Sequence, residues 1–399
     1  MGRHTAIGPG TTTAQRLLAA ALVGAFALTV LGLAVLWPRG EAPRPAPGFA
    51  ASQTVAADAV AGEVSESYPS ACSSPVLGGV FTTGSAPRVP AGGECSTAVV
   101  LIGEGPDEGR VTLLQTSGQA GEPVLAPGDR VLLGRGAEPA TYAFLDMDRG
   151  AALWVWLAAT AAVIVIAAAW HGVRALAGLA LSLALIGVFL VPALLRGGPP
   201  VPLAVVTGAA ILFPVMFLVH GVNWKSAAAL GGTLASLAAS AGLARAAIST
   251  ADLRGLGDDS NLLIQLYLPS VSVAGLMLAG FIIGTLGALN DATVAQASTV
   301  AELADANPGA RPAELFASAM RVGRDHIASM VYTLVLAYIG AALPMTLLLA
   351  AADRPLAQVL TSDIVATELL RSAVGALGLT LAVPVTTLVA ALTAARGRG

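Results

Sequence analysis

The chain has 399 residues, 55% of them hydrophobic and only 11% charged, with a mean hydropathy of +0.76. A water-soluble domain carries about a quarter charged residues, so these charges are too few to cover a soluble surface. The net charge of −3 excludes the basic footprint of a nucleic-acid partner.

In chain order, the first apolar run covers 17–37 and follows Arg3, His4 and Arg16. A secretory signal has an apolar core of about 7–15 residues; this run is longer and ends in Trp37-Pro38-Arg39. It predicts an uncleaved anchor, since about 20 apolar residues cross the roughly 30 Å of hydrocarbon. Residues 1–16 are then expected in the cytoplasm.

Residues 38–150 are polar. A linker with Pro38, Pro43, Pro45 and Pro47 leads to β-rich segments at 98–102, 110–115, 130–133 and 141–145. The turn Pro127-Gly128-Asp129 opens the third of them. A small β-barrel or β-sandwich outside the cytoplasm is expected between the first two membrane helices. The only cysteines, Cys72 and Cys95, fall in this region. Outside the cytoplasm they form an oxidised pair; in a reducing compartment they stay free thiols. Neither has a Cys or His close enough in sequence for a metal site.

From 151 onward apolar runs dominate, with spans expected at 151–170, 173–195, 202–220, 226–249, 269–289, 327–350 and 370–393, and a cytoplasmic tail at 394–399. Together with the anchor these make about eight membrane helices and leave both termini in the cytoplasm. The basic residues support that orientation: Arg174, Lys225, Arg311, Arg321, Arg324, Arg396 and Arg398 fall in predicted inner segments. Pro192, Pro214, Pro344 and Pro384 lie within spans, as ordinary kinks or as hinges.

Three polar clusters sit at or inside the apolar runs. The first holds Gly280, Gly284 and Gly287, spaced for close helix approach, followed by Asn290 and Asp291 at the expected inner end of the fifth of these spans. If the helix continues, Asp291, Ser298, Glu302 and Asp305 share a stripe roughly 60° wide. For Asp291 a functional role and a solvated face both stand; Glu302 and Asp305 read as solvated. The second cluster is Arg321, Arg324, Asp325 and His326, either a charge network at the cytoplasmic mouth or a basic anchor with an interfacial ion pair of little energy. The third is Glu368, Arg371 and Ser372, with Gly375 and Gly378 positioned for packing. Glu368 and Arg371 are spaced to pair on one helix face, with a role at the outer end or simple snorkelling as alternatives. No P-loop, HExxH, GxSxG or CxxC pattern occurs, so no catalytic residue, metal ligand or cofactor is expected.

The stretches Gly284-Thr-Leu-Gly287-Ala-Leu-Asn-Asp291 through Ser298, Ser318-Ala-Met-Arg-Val-Gly323-Arg324-Asp325 through Gly340, and Glu368-Leu-Leu-Arg371 through Val383-Pro384-Val-Thr386 resemble the signatures of the YibE/F-like membrane proteins. Tyr142-Ala-Phe-Leu-Asp146-Met-Asp-Arg149 fits as well, so the resemblance covers about 100–393. Ala328 and Tyr332 depart from it, and so does His326. The resemblance implies a multipass protein of a bacterial plasma membrane with no established activity. A transporter or channel for a small solute or ion is the leading expectation. Asp291 would bind or relay a cation or proton, and Arg324 and Asp325 would gate one mouth. The alternative is an envelope scaffold or signalling protein whose β domain binds a partner. Expected partners are the lipid bilayer and an unidentified small solute or ion, with a homo-oligomer left open.

Overall fold

The structure is a computed structural model, and it describes residues 11–41, 43, 46, 58–136, 141–257, 259–352 and 354–394. The chain divides into two compact units, 45–164 and the remainder.

The smaller unit is built on a six-stranded antiparallel sheet. Its strands are β1 (Asp58–Ser70), β2 (Val80–Phe81), β3 (Cys95–Ile102), β4 (Val111–Thr116), β5 (Arg130–Arg135) and β6 (Tyr142–Met147), in the order β2-β4-β3-β1-β5-β6. The four expected segments are β3 to β6. The central β1 was not expected, because Gly62, Glu63, Glu66 and Pro69 are residues that strands disfavour. Its apolar signal is confined to one face, where Val60 and Val64 join Val100, Ile102, Leu114, Val131 and Leu133 in the core. A bulge between Val64 and Glu66 lets one long strand bend between two partners.

The sheet curls because Gly78 ties its two sides together. The Gly78 amide donates to Leu113 O of β4 at 2.8 Å, and the Tyr142 amide of β6 donates to Gly78 O at 2.8 Å. Gly78 has φ +73, and a Cβ there would meet Tyr142 O, so only glycine fits. Asp107, 8% exposed, lies under this curl. It accepts from Tyr142 Oη at 3.0 Å and Arg135 Nε at 3.4 Å, and Arg110 pairs with it at 3.5 Å. Burial, then the Asp107 carboxylate, push the Tyr142 phenol above its ordinary value.

Cys72 and Cys95 are joined in a disulfide, with Cα atoms 5.3 Å apart. It pins the turn after β1 to the start of β3. For a loop of this length the chain-entropy model gives about 3 kcal/mol, a large share of the stability of so small a core. Cys95→Ser is expected to lower the unfolding free energy of the β unit by about that amount. Denaturant unfolding with and without reductant checks it: reductant should match the mutation in the wild type and do nothing to the variant.

The larger unit and the stretch leading into it are helical: α1 (Thr13–Leu36), α2 (Gly150–Leu195), α3 (Pro200–His220), α4 (Trp224–Thr250), α5 (Asp259–Tyr267), α6 (Val273–Ala306), α7 (Pro312–Ala341), α8 (Leu343–Ala351), α9 (Leu356–Leu360) and α10 (Asp363–Ala394). Among the described residues six helices are long and apolar enough to cross a membrane: α1, α2, α3, α4, α6 and α10. A seventh follows if α7 and α8, bent by 60°, make one span. This count does not confirm the expected number of about eight. The two spans expected at 151–170 and 173–195 are one 46-residue stretch, interrupted by the non-helical backbone of Ala169 (φ 48, ψ −128).

Other boundaries move for local reasons. The span expected at 327–350 breaks at Ala342, next to the Pro344 that lacks an amide to continue the ladder. α6 runs far past the expected end at 289. The polar residues that seemed to close it lie on the outer side of a helix whose other side, through Ala292, Thr293, Gln296 and Val300, stays buried. α7 likewise starts well before 327, with Leu315, Ala319 and Gly323 buried.

α4, α6 and α10 form the centre. Its apolar layer includes Leu237, Phe281, Ile282 and Val374. α4 and α10 run antiparallel in a reciprocal register: Gly232 faces Thr386, and Gly378 faces Ser240. Each glycine receives the hydroxyl-bearing side chain of the opposite helix, which lets the backbones approach closely. The same logic seats Gly375 against Leu334 of α7 and Thr285 of α6, and Gly323 against Val383 and Gln296. One end of the bundle gathers the start of α1 and the end of α10, where Gln15 Nε2 donates to Thr393 O at 2.8 Å; this is called the Thr13 end below.

Candidate functional site

Inter-helix contacts fix the heights of the polar residues. Gly208 of α3 touches Leu237 of α4 and Leu286 of α6. Thr233 of α4 and Thr293 of α6 share a 2.6 Å hydrogen bond. Phe26 of α1 meets Phe213 of α3 edge to face at 5.3 Å. Stepping along α6 from these contacts, Asp291 is level with Phe213, about 10 Å from the Thr13 end of α3. α3 has 21 residues and is about 32 Å long. Asp291 therefore lies about a third of the way along the bundle from the Thr13 end, within the length of α3.

α7 brings a second set of charges to the same height. Gln296 Nε2 of α6 donates to Ala319 O of α7 at 2.9 Å, and Gly323 abuts Gln296. The helices are antiparallel, so Asp291 is level with the turn holding Arg324, Asp325, His326 and Ala328. Arg324 and Asp325, like Asp291, point to the outside of this single chain. Among the described residues no ion pair within 4 Å joins them to Asp291. The expected network across the inner loop is thus not formed within one chain. His326 is half-buried, and its Nε2 has no hydrogen-bond partner.

Asn290 is half-buried, and its carbonyl accepts from Thr293 Oγ1 at 3.0 Å. Ser298 is half-buried nearer the Thr13 end, and Glu302 and Asp305 beyond it are exposed. His220, the last residue of α3, is within electrostatic reach of Asp291, Lys225 and His171. Polar groups thus extend from the level of Asp291 to the Thr13 end.

The expected packing glycines divide. Gly375 and Gly378 are buried contacts. Gly284 meets only Tyr338 Oη, at 2.8 Å, while Gly280 and Gly287 face open space. With Asp291, Gly280 and Gly287 form an exposed stripe along α6, and of the GxxxG pair only Gly284 touches another described helix, through Tyr338 of α7.

Glu368 and Arg371 come together at the other end. Arg371 Nη1 lies 2.9 Å from Glu368 Oε1, and the side chains are 27% and 22% exposed for Arg371 and Glu368 respectively. The guanidinium stacks over Phe281 of α6 at 5.2 Å and Tyr338 of α7 at 5.8 Å. These aromatic walls had no sequence signal of their own. Phe281 reads as ordinary span, and Tyr338 is a dozen residues from the nearest charge. Arg371 Nε and Ser372 Oγ are buried without a partner. From Phe281 to Asp291 is about 15 Å along α6.

Long apolar helices, packed through glycines and carrying charge within their length, define a multipass membrane protein. The chain belongs to the YibE/F-like family: the family model, described as YibE/F-like protein, matches residues 156–396. That range holds all three polar clusters and starts beyond β6, so the six strands and the Tyr142 to Arg149 stretch lie outside it. No curated protein and no solved structure matches the chain.

Proposed function

We propose that this protein is a transporter or channel for a small ion or solute, with Asp291 as its central polar group. The height of Asp291, Arg324 and Asp325 carries this reading. Charged side chains in the hydrocarbon are costly, and they mark pathways or proton relays far more often than they serve as ornament. The residues around His220 and Lys225 extend the polar line to the Thr13 end. Glu368 and Arg371 flank it from the other end. The test is flux through the purified full chain in liposomes under an imposed ion or proton gradient. Asp291→Asn keeps the shape and removes the charge, so flux should fall to the protein-free background while the variant elutes as the wild type does. Wild-type flux in a correctly folded Asp291→Asn variant overturns the assignment.

Eight crossings, both termini in the cytoplasm and an extracytoplasmic β domain complete the reading, in a bacterial plasma membrane. The support is a parity argument. Arg196 Nε and Nη2 donate to Gly40 O at 3.1 and 3.0 Å, so both residues belong to one side of the membrane. Between residues 41 and 149 no described residue is helical, so α2 must cross an even number of times. At about 1.5 Å per residue α2 is about 69 Å long, more than twice the hydrocarbon. A division at Ala169 leaves two segments that each span it. The bond from Gln15 to Thr393 agrees with an even total, and the basic residues near that end agree with the cytoplasm.

A further inference from the structure

The faces that this chain turns outward differ in chemistry. α2 carries no charged residue between Gly150 and Trp170, and its exposed large side chains include Leu153, Val163, Ile166 (83% exposed) and Leu183. Lipid satisfies that surface. α7 buries only Leu315, Ala319, Gly323 and Leu334. Its outward side presents Arg324 and Asp325 level with Asp291, followed by Ser329, Tyr332 (72% exposed), Thr333 and Leu336. Beside it runs the open stripe of Gly280, Gly287 and Asp291. A charged surface within the length of an apolar bundle is not stable against acyl chains, and no element of this chain covers it among the described residues.

We propose that the outward face of α7, with the adjoining glycine stripe of α6, packs against the same face of a second copy of this chain. Charge decides the occupant. A two-fold axis along the membrane normal brings each residue opposite residues of its own height. A self-complementary interface therefore needs both signs at one level. Arg324 supplies the cation there and Asp325 and Asp291 the anions, so the Arg324 of each copy meets a carboxylate of the other. Gly280 and Gly287 leave room for the partner helix to approach closely. An acidic or basic foreign protein would match only one of the two signs. This interface rests on burial and charge; it shares Asp291, Arg324 and Asp325 with the transport reading, but its test reads dimer mass and not flux, so the two fail separately.

Cysteine cross-linking of the full chain in native membranes tests it. Both native cysteines are already paired, so each variant carries one free thiol. Ala328→Cys and Tyr332→Cys should give an oxidised band of dimer mass containing only this chain, and Ile166→Cys on α2 should give none. Arg324→Asp should abolish the Tyr332→Cys dimer, and Arg324→Asp with Asp325→Arg should restore it. Three results overturn the proposal: monomer only at both α7 positions in protein that folds, a band containing a different protein, or a dimer as strong through Ile166→Cys.

Discussion

Gly232→Val is expected to destabilise the helical unit by about 3 kcal/mol or to prevent its folding, the upper range for overpacking a tight contact. The first atom of any side chain at Gly232 runs into Thr386 Oγ1, with Thr386 Cβ and the α10 backbone close behind. The hydroxyl cannot swing away at no cost, because Thr386 is fully buried between helices. Gly242 of the same helix is the control: it faces open space, so Gly242→Val keeps helix propensity and hydrophobicity comparable without the collision. Thermal unfolding of both variants in nanodiscs separates the effects. Equal midpoints would refute the reciprocal register. Partial rescue of Gly232→Ala by Thr386→Gly would establish it, since the swap restores one small residue per contact at about 1 kcal/mol of helix propensity.

That register also marks the limit of what could be read from the chain before its structure. Bulk hydropathy was enough for the membrane class, the anchor, and helices at 202–220, 226–249 and 370–393, because those segments are long, predominantly apolar and nearly free of charge. Four strands were legible from their β-branched runs. β1 was not: half of its residues are polar, and its place is fixed by β3 and β5 together. The charged members of the candidate site were also legible one by one, as exceptions in apolar surroundings. Their height was not. A hydropathy boundary falls wherever charges begin, so Asp291 looked like the end of a helix. Contacts between helices, such as Thr233 with Thr293 and Gly323 with Gln296, set the actual level, and they depend on how each helix is rotated. Rotation also separates two patterns of similar appearance. Gly375 and Gly378 bury against neighbours, whereas Gly280 and Gly287 look outward.

The pairing of Glu368 with Arg371 shows how a short-range rule gains meaning from distant residues. Spacing alone predicts an exposed pair of a few tenths of a kcal/mol. The structure adds walls from α6 and α7, Phe281 and Tyr338, on which the guanidinium stacks, and leaves both charges mostly out of solvent. Removing one partner of such a pair strands the other charge.

Glu368→Gln is therefore expected to cost about 3–5 kcal/mol, whereas a buried pair replaced by apolar side chains of similar volume is often neutral or more stable by about 1–4 kcal/mol. The double variant Glu368→Gln with Arg371→Met should then unfold near the wild-type midpoint, and Arg371→Lys should fall between, since an ammonium keeps the charge but loses the planar stack. Unfolding in nanodiscs reads these differences, and an undisturbed Glu368→Gln midpoint would show that the pair is solvated after all. Flux through the same proteins separates structure from function. If the pair only holds α10 against α6 and α7, the double variant regains flux along with stability. If it gates the end of the pathway away from Thr13, the double variant is stable and its flux is lost or no longer controlled. The second outcome is the one the transport reading expects.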